Sequence, residues 1–293
     1  MTAVSMPAKA HDEEAAPSAA GLWSRLSRRK SALLGLTVIA ALVLLAVFAA
    51  LIAPYDPLQT NWALVRKPPS WQHWLGTDET GRDLLSRVIF GARASLLAGA
   101  VSVFIAAGLG VPLGLYAGFR GGGPDMLISR MTDAMLACPF LILAIALAAF
   151  LGPSLTNVMI AIGTTTTPVF VLLTRAQVLS IKAEDYIEAA RALGNPPLRI
   201  AVIHILPNAL PALLVQATLS VAAAIIAEAS LSFLGLGQQP PAPSWGAMLY
   251  TAQRFLSGQP WMAIWPGLAI FITVLSFNLL GDGLRDAFDP RER

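Results

Sequence analysis

Tyr186-Ile187-Glu188-Ala189-Ala190-Arg191-Ala192-Leu193-Gly194, continued by His204-Ile205-Leu206-Pro207, is a polar island in a chain otherwise built of long apolar runs. The runs at 155–174 and 209–233 flank it, and each matches the roughly 20 mostly apolar residues that a helix needs to cross a bilayer. Further runs at 32–53, 94–117, 134–151 and 261–280 bring the number to six. The chain is 56% hydrophobic and 13% charged, with a mean hydropathy of +0.65. Soluble domains carry about 25% charged residues. The fold class these numbers predict is an all-α polytopic membrane protein with six transmembrane helices.

Six spans put both termini on one side. The first run is too long for the 7–15-residue core of a secretory signal, roughly, and reads as a retained anchor. Fourteen of the 20 Lys and Arg residues fall on the side of the termini and of the island. The other six are Arg66, Lys67, Arg82, Arg87, Arg93 and Arg254. Positive charge collects on the cytoplasmic side, so the island is expected there. The predicted organisation is a cytoplasmic tail over 1–30, an anchor helix over 31–53 and a periplasmic or extracellular segment over 54–93. A membrane core follows over 94–283, with the island loop at 181–207, and then a cytoplasmic tail over 284–293. Residues 1–20 are Ala, Ser, Pro and charge, a composition that predicts disorder.

Within the island, Ala183, Tyr186, Ile187, Ala190 and Leu193 recur at helical spacing and predict a short helix with one apolar face. Gly194-Asn195-Pro196-Pro197 should end it. A second short stretch over 198–205 leads to Pro207, with Asn208 expected to cap the next span and Pro211 tolerated in its first turn. By periodicity alone, a helix merely lying on the membrane surface is the equal alternative.

The residue pattern goes further. Glu188, Ala189, Ala190, Gly194, Leu206 and Pro207 resemble the EAA loop of permease subunits of ATP-binding-cassette importers, with His204 standing where that pattern has Ile. The stretch Leu75-Gly76-Thr77-Asp78-Glu79-Thr80-Gly81-Arg82-Asp83-Leu84-Leu85-Ser86-Arg87 resembles the second permease subunit of dipeptide, oligopeptide and nickel importers. So do Leu231-Ser232-Phe233-Leu234-Gly235-Leu236-Gly237 and the proline-rich stretch ending Ser244-Trp245-Gly246. Together they cover residues 25–290. The resemblance implies a type I ABC importer permease fold whose cytoplasmic coupling helix, with Tyr186 on it, docks on an ATPase. It implies a second homologous permease, two ATPase subunits or domains, and a periplasmic or lipid-anchored solute-binding protein, all at a bacterial cytoplasmic (inner) membrane. The implied substrates are di- and oligopeptides, with nickel, glutathione or another peptide-like solute as alternatives. ATP and magnesium would sit on the partner ATPases. A phosphate-cradling loop needs Gly-Lys, a dipeptide this chain lacks. No bound cofactor and no enzymatic activity are expected of the chain itself.

Other residues were weighed beside the loop. Thr164, Thr165, Thr166 and Thr167 precede Pro168 in mid-span and read either as a stabilised kink, the hydroxyls satisfying the carbonyl that Pro168 frees, or as a polar stripe along a translocation path. Relatives usually carry a Trp-Pro-Gly-Tyr-like stretch here, so no pathway residue is carried over from them. Glu228 is the acid inside an apolar run and reads as a structural or gating pair, meeting water or a loop arginine, ahead of a ligand contact. Gly110, Gly114 and Gly118 form a small-residue face, facing this chain or a partner permease. Asp133 and Pro139 are expected at a helix start and a kink. His11, His73 and His204 lack metal or catalytic spacing, and Cys138 has no partner for a disulfide or metal site. The basic residues sit between apolar runs, so no nucleic acid is expected despite a pI near 9.3. A secondary transporter would call for inverted repeats and buried coupling charges. An intramembrane enzyme would call for a catalytic constellation; neither is visible.

Overall fold

The computed structural model describes residues 29–288. The tail expected to be disordered and the last residues of the C-terminal tail lie outside these. The described residues form helices and one isolated bridge, Thr77 with Asp83, but no strand. Five helices are long and apolar enough to cross a membrane: α1 (Lys30–Val47), α3 (Leu84–Arg120), α6 (Leu155–Ile181), the Pro197–Phe233 helix and α10 (Trp261–Phe288). A short helix, α2 (Ala49–Ile52), follows α1 after a break at Phe48. Between α3 and α6 lie α4 (Gly122–Leu136) and α5 (Phe140–Leu151), which meet at 90° and make the sixth span when taken as one.

The kink expected at Pro139 is a full break, and the span begins at Gly122 rather than at 134. Pro139 cannot donate a helical hydrogen bond, and it stands at the break with extended ψ. Asp133 does not start a helix; it lies inside α4 and is exposed. The helix starting at Leu84 also begins earlier than the 94 expected from hydropathy. Its first turns are amphipathic and packed under the segment 53–83, where hydropathy is a poor guide. At the other end α10 continues to Phe288, into the stretch assigned to the tail.

The seam between α3 and α6 organises the rest. A Cβ placed on Gly114 would lie 2.5 Å from the Val171 carbonyl oxygen and 2.8 Å from Thr174 Cβ. The same atom on Gly110 would lie 2.6 Å from Phe170 Cβ, and on Gly118, 2.9 Å from Val178 Cβ. The glycine stripe therefore faces this chain's own α6. The backbones approach until only hydrogen fits between them, which maximises dispersion contact where lipid offers no hydrophobic drive. The helix α8 (Leu206–Phe233) crosses both partners, and the buried core gathers Val103, Ala106, Val158, Ile162, Phe170 and Leu231. Helix α1 lies at the periphery. It packs on α10 through Gly35 and is pinned to α3 by Arg93, whose guanidinium donates to the carbonyls of Ala46 and Val47 where α1 breaks.

Overpacking costs about 1–3 kcal/mol even in soluble cores. Gly114→Val should therefore lower the thermal unfolding midpoint of the detergent-solubilised protein clearly. Gly108→Ala on the same helix, where no atom lies within 4 Å, should leave it nearly unchanged. Equal midpoints for the two variants would refute the seam.

Candidate functional site

The polar island folds as a knob with a buried base. Helix α6 ends at Ile181, and Lys182 turns back to donate from Nζ to the Phe119 carbonyl at 2.8 Å, over the Phe119 ring. Helix α7 (Asp185–Ala192) follows. Its apolar side is Ile187, fully buried, and Ala190, which pack on Val178, Ile200 and Ile205 with Leu115 and Phe119 beside them. Its other side carries Glu188, Ala189 and Arg191, all exposed. Leu193, 83% exposed, stands at the tip. The helix stops where expected. Gly194 adopts φ +78°, its N–H donates to the Arg191 carbonyl, and the Asn195 N–H donates to the Ala190 carbonyl. This is a Schellman end, and a side chain at Gly194 would resist that φ.

The return to the membrane differs from the expectation. Residues 197–205 are one α-turn, Pro197–Arg199, and a π-turn, Ile200–Ile205, running straight into α8. Pro207 sits in the first turn of α8, where it has no N–H to give, and widened π geometry just before it is one way a helix accommodates such a ring. Asn208 is thus not a helix cap. Its Nδ2 donates to the His204 carbonyl at 2.7 Å and to the Tyr186 hydroxyl at 3.1 Å, tying α7 to the foot of α8. Burial, with Glu184 nearby, raises the Tyr186 phenol above its ordinary range, so it stays neutral at physiological pH. Of the motif residues, Glu188, Ala189 and Gly194 are exposed on the knob, Tyr186 flanks them, and Ala190 lies beneath. Leu206 packs against the main core and Pro207 is exposed at the membrane end.

The four threonines do not form one stripe, because successive helical positions point about 100° apart. Thr165 and Thr167 are buried; Thr164 and Thr166 are partly so. The hydroxyls of Thr165, Thr166 and Thr167 donate to the carbonyls of Ala161, Ile162 and Gly163, one turn back, and not to the Thr164 carbonyl that Pro168 frees. Thr165 and Thr166 border a groove of about 530 Å³ under the α4–α5 bend, with Gln216 and Ser220 of α8 and with Cys138. Gln216 and Ser220 were not singled out from sequence. The legible signal was a lone glutamine in an apolar run.

Glu228 lies elsewhere, fully buried at the junction of α3, α8 and the short helix α9 (Trp245–Ala252). Its partners are serines rather than a loop arginine. It accepts hydrogen bonds from Ser232 Oγ at 2.7 Å and Ser95 Oγ at 3.3 Å, and Ser95 Oγ in turn accepts from the Trp245 N–H. The segment before α3 is knotted by charge. Asp78 accepts from Thr80 and from the Arg82 N–H and Nε, and pairs with Arg87. Arg87 donates to the carbonyls of Pro57 and Pro241, so one cation holds the segment before α3 to the segment after α8. Asp83 caps α3 through the Ser86 N–H and also holds His73 at 2.8 Å. Among the described residues no group of three or more His, Cys, Asp or Glu side chains could hold a metal.

Residues 110–293 match the family described as binding-protein-dependent transport system inner membrane component, and residues 20–69 match the N-terminal TM domain of oligopeptide transport permease C. The chain belongs to this permease family. It is 46% identical to the dipeptide transport system permease protein DppC of Alkalihalophilus pseudofirmus over 92% of this chain and 88% of that one. It is 47% identical to the di/tripeptide transport system permease protein DppC of Pseudomonas aeruginosa, covering 92% and 91%. It is 44% identical to the glutathione transport system permease protein GsiD of Escherichia coli, covering 92% and 89%. Among solved structures, inward-facing forms of the MetNI methionine ABC transporter match with TM-scores of 0.56 and 0.58 at 22% identity, over 70% of this chain and 98% of that one. The protein therefore has the ABC importer permease fold and is a multi-pass membrane subunit.

Leaving Ser95 and Ser232 buried without their shared acceptor should cost about 1–3 kcal/mol. Glu228→Leu should accordingly lower the yield and thermal stability of the permease, while Glu228→Gln, which keeps an acceptor oxygen, should retain most of both. Leucine tolerated as well as glutamine would remove Glu228 from the structural network.

Proposed function

We propose that this permease imports di- and oligopeptides as one half of a membrane pore, with a second homologous permease as the other half. Two ATPase subunits or domains bind ATP and magnesium beneath it, and a periplasmic or lipid-anchored protein delivers the solute. The reading places both termini and α7 on the cytoplasmic side of a bacterial inner membrane. It is supported by the excess of Lys and Arg on that side and by the names of the similar proteins, two dipeptide or di/tripeptide permeases and one glutathione permease. Glutathione is itself a peptide-like solute and stands as the second reading of the substrate.

The observation that carries the mechanism is the two-sidedness of α7. One side is locked into the chain through Ile187 and Ala190; the other offers Glu188, small Ala189 and a bare Leu193 to whatever lies beyond. An amphipathic helix in a partner's groove is a common docking mode, with apolar anchors supplying affinity and the acid supplying register. Its displacement on ATP binding would pass through Val178 to α6 and through Asn208 to α8, swinging the pore between its two openings. This is alternating access driven by differential binding of two states.

Glu188→Arg should therefore cut ATP-driven uptake of a labelled dipeptide into proteoliposomes holding the complete complex by more than tenfold. Uptake that is independent of ATP and equal in the two proteins would defeat the proposal.

A further inference from the structure

The groove under the α4–α5 bend does not stop there. A second groove of about 490 Å³ runs between α6 and α8 past Gln177 and Asn208, and the two share Gln216 and Leu219. Both volumes fall in the range of about 300–1,000 Å³ that small-molecule sites occupy. They make one track along the α6–α8 face. It begins at the bend and ends at Asn208, the residue that holds Tyr186 of α7.

Arg285 lines the track at its Asn208 end; the other polar groups along it are neutral and mostly offer acceptors. Thr165 Oγ1 donates at 2.8 Å to the Ala161 carbonyl, and Thr166 Oγ1 at 2.7 Å to that of Ile162, so each hydroxyl keeps only lone pairs for a visitor. Gln216 Nε2 is engaged with Ser220 Oγ at 3.1 Å, which leaves the Gln216 carbonyl oxygen for the groove. Apart from Arg285, whose guanidinium suits a carboxylate, these are neutral groups spaced along an otherwise apolar wall, suited to a solute rich in N–H donors.

Resting on the peptide-permease reading above, we propose that this track is the permease's half of the translocation path. Gln216, at the meeting of the two grooves, is the residue that receives the amide and ammonium N–H groups of the passing peptide, with Thr165 and Thr166 on the bend side and Gln177 and Asn208 toward α7. The second permease would form the facing wall. Coupling follows from the layout, since the end of the path and the tie to α7 are the same residue, Asn208.

The chain's single cysteine, Cys138, lines the bend-side groove and reports on it. The test uses the complete complex in proteoliposomes with labelled dialanine. Gln216→Leu should lower uptake per ATP hydrolysed about tenfold, and Gln216→Asn should recover part of the loss. A bulky maleimide on Cys138 should block uptake in the native complex, and Cys138→Ser should no longer respond to the reagent. Saturating dialanine during turnover should slow modification of Cys138 at least threefold. Native, ATP-driven uptake that persists undiminished in Gln216→Leu, or a rate of Cys138 modification unaffected by peptide, would overturn the path while leaving the permease reading intact. Absence of ATP-driven dialanine uptake in the native complex would overturn that reading and the path together.

Discussion

The close approach of α3 and α6 is the constraint on which the rest of this permease depends. With Gly110, Gly114 and Gly118 against Phe170, Val171, Thr174 and Val178, the two helices lie at backbone contact over three turns. That contact fixes the height of Leu115 and Phe119 relative to Val178 and Ile181, and so builds the socket in which Ile187 and Ala190 of α7 sit. It also fixes the rotation of α6, turning Thr165 and Thr166 to the groove under the bend while Phe170 enters the core. A wider seam would loosen both the knob and the track.

Three linked pieces hang on this frame. At the end where α3 begins, Asp78, Arg82, Arg87 and Asp83 knot the segment before α3, and Arg87 reaches the Pro241 carbonyl beyond α8. Glu228, held by Ser95 and Ser232, joins α3 to α8 just inside that knot. At the other end, Lys182 ties the end of α6 to α3, Asn208 ties α7 to the foot of α8, and the Arg175–Asp125 pair holds α4 to α6. Polar bonds thus cluster at the ends of the bundle, while the middle rests on packing. That division suits a body that tilts as a unit when pushed at one end.

Much of this was legible in the sequence because its signals are local. Apolar runs fixed the helical membrane class, and Gly194 marked the end of α7; of the apolar face expected there only Ile187 and Ala190 are buried, while Ala183, Tyr186 and Leu193 are exposed. What escaped depended on partners distant in the chain. Pro139 marked a kink, but hydropathy cannot register that it is a 90° break or that the span begins at Gly122. Asn208 looked like a cap because its acceptors, His204 and Tyr186, become visible only once the π-turn joins 200–205 to α8. Glu228 suggested an arginine partner; its actual partners are serines, among them Ser95 on another helix, which no local pattern reveals. The direction of the glycine stripe was open for the same reason.

The central claim is that α7 is bolted to the α3–α6 seam and moves with it as one body. The direct test is a pulsed electron-spin distance between labels at Leu193, on the tip of the knob, and Leu109, on the exposed side of α3, in the complete complex with Cys138→Ser. The account predicts the same narrow distance distribution without nucleotide and with ATP trapped. A distribution that shifts or broadens on ATP binding would mean that α7 moves against the seam, and that coupling takes another route.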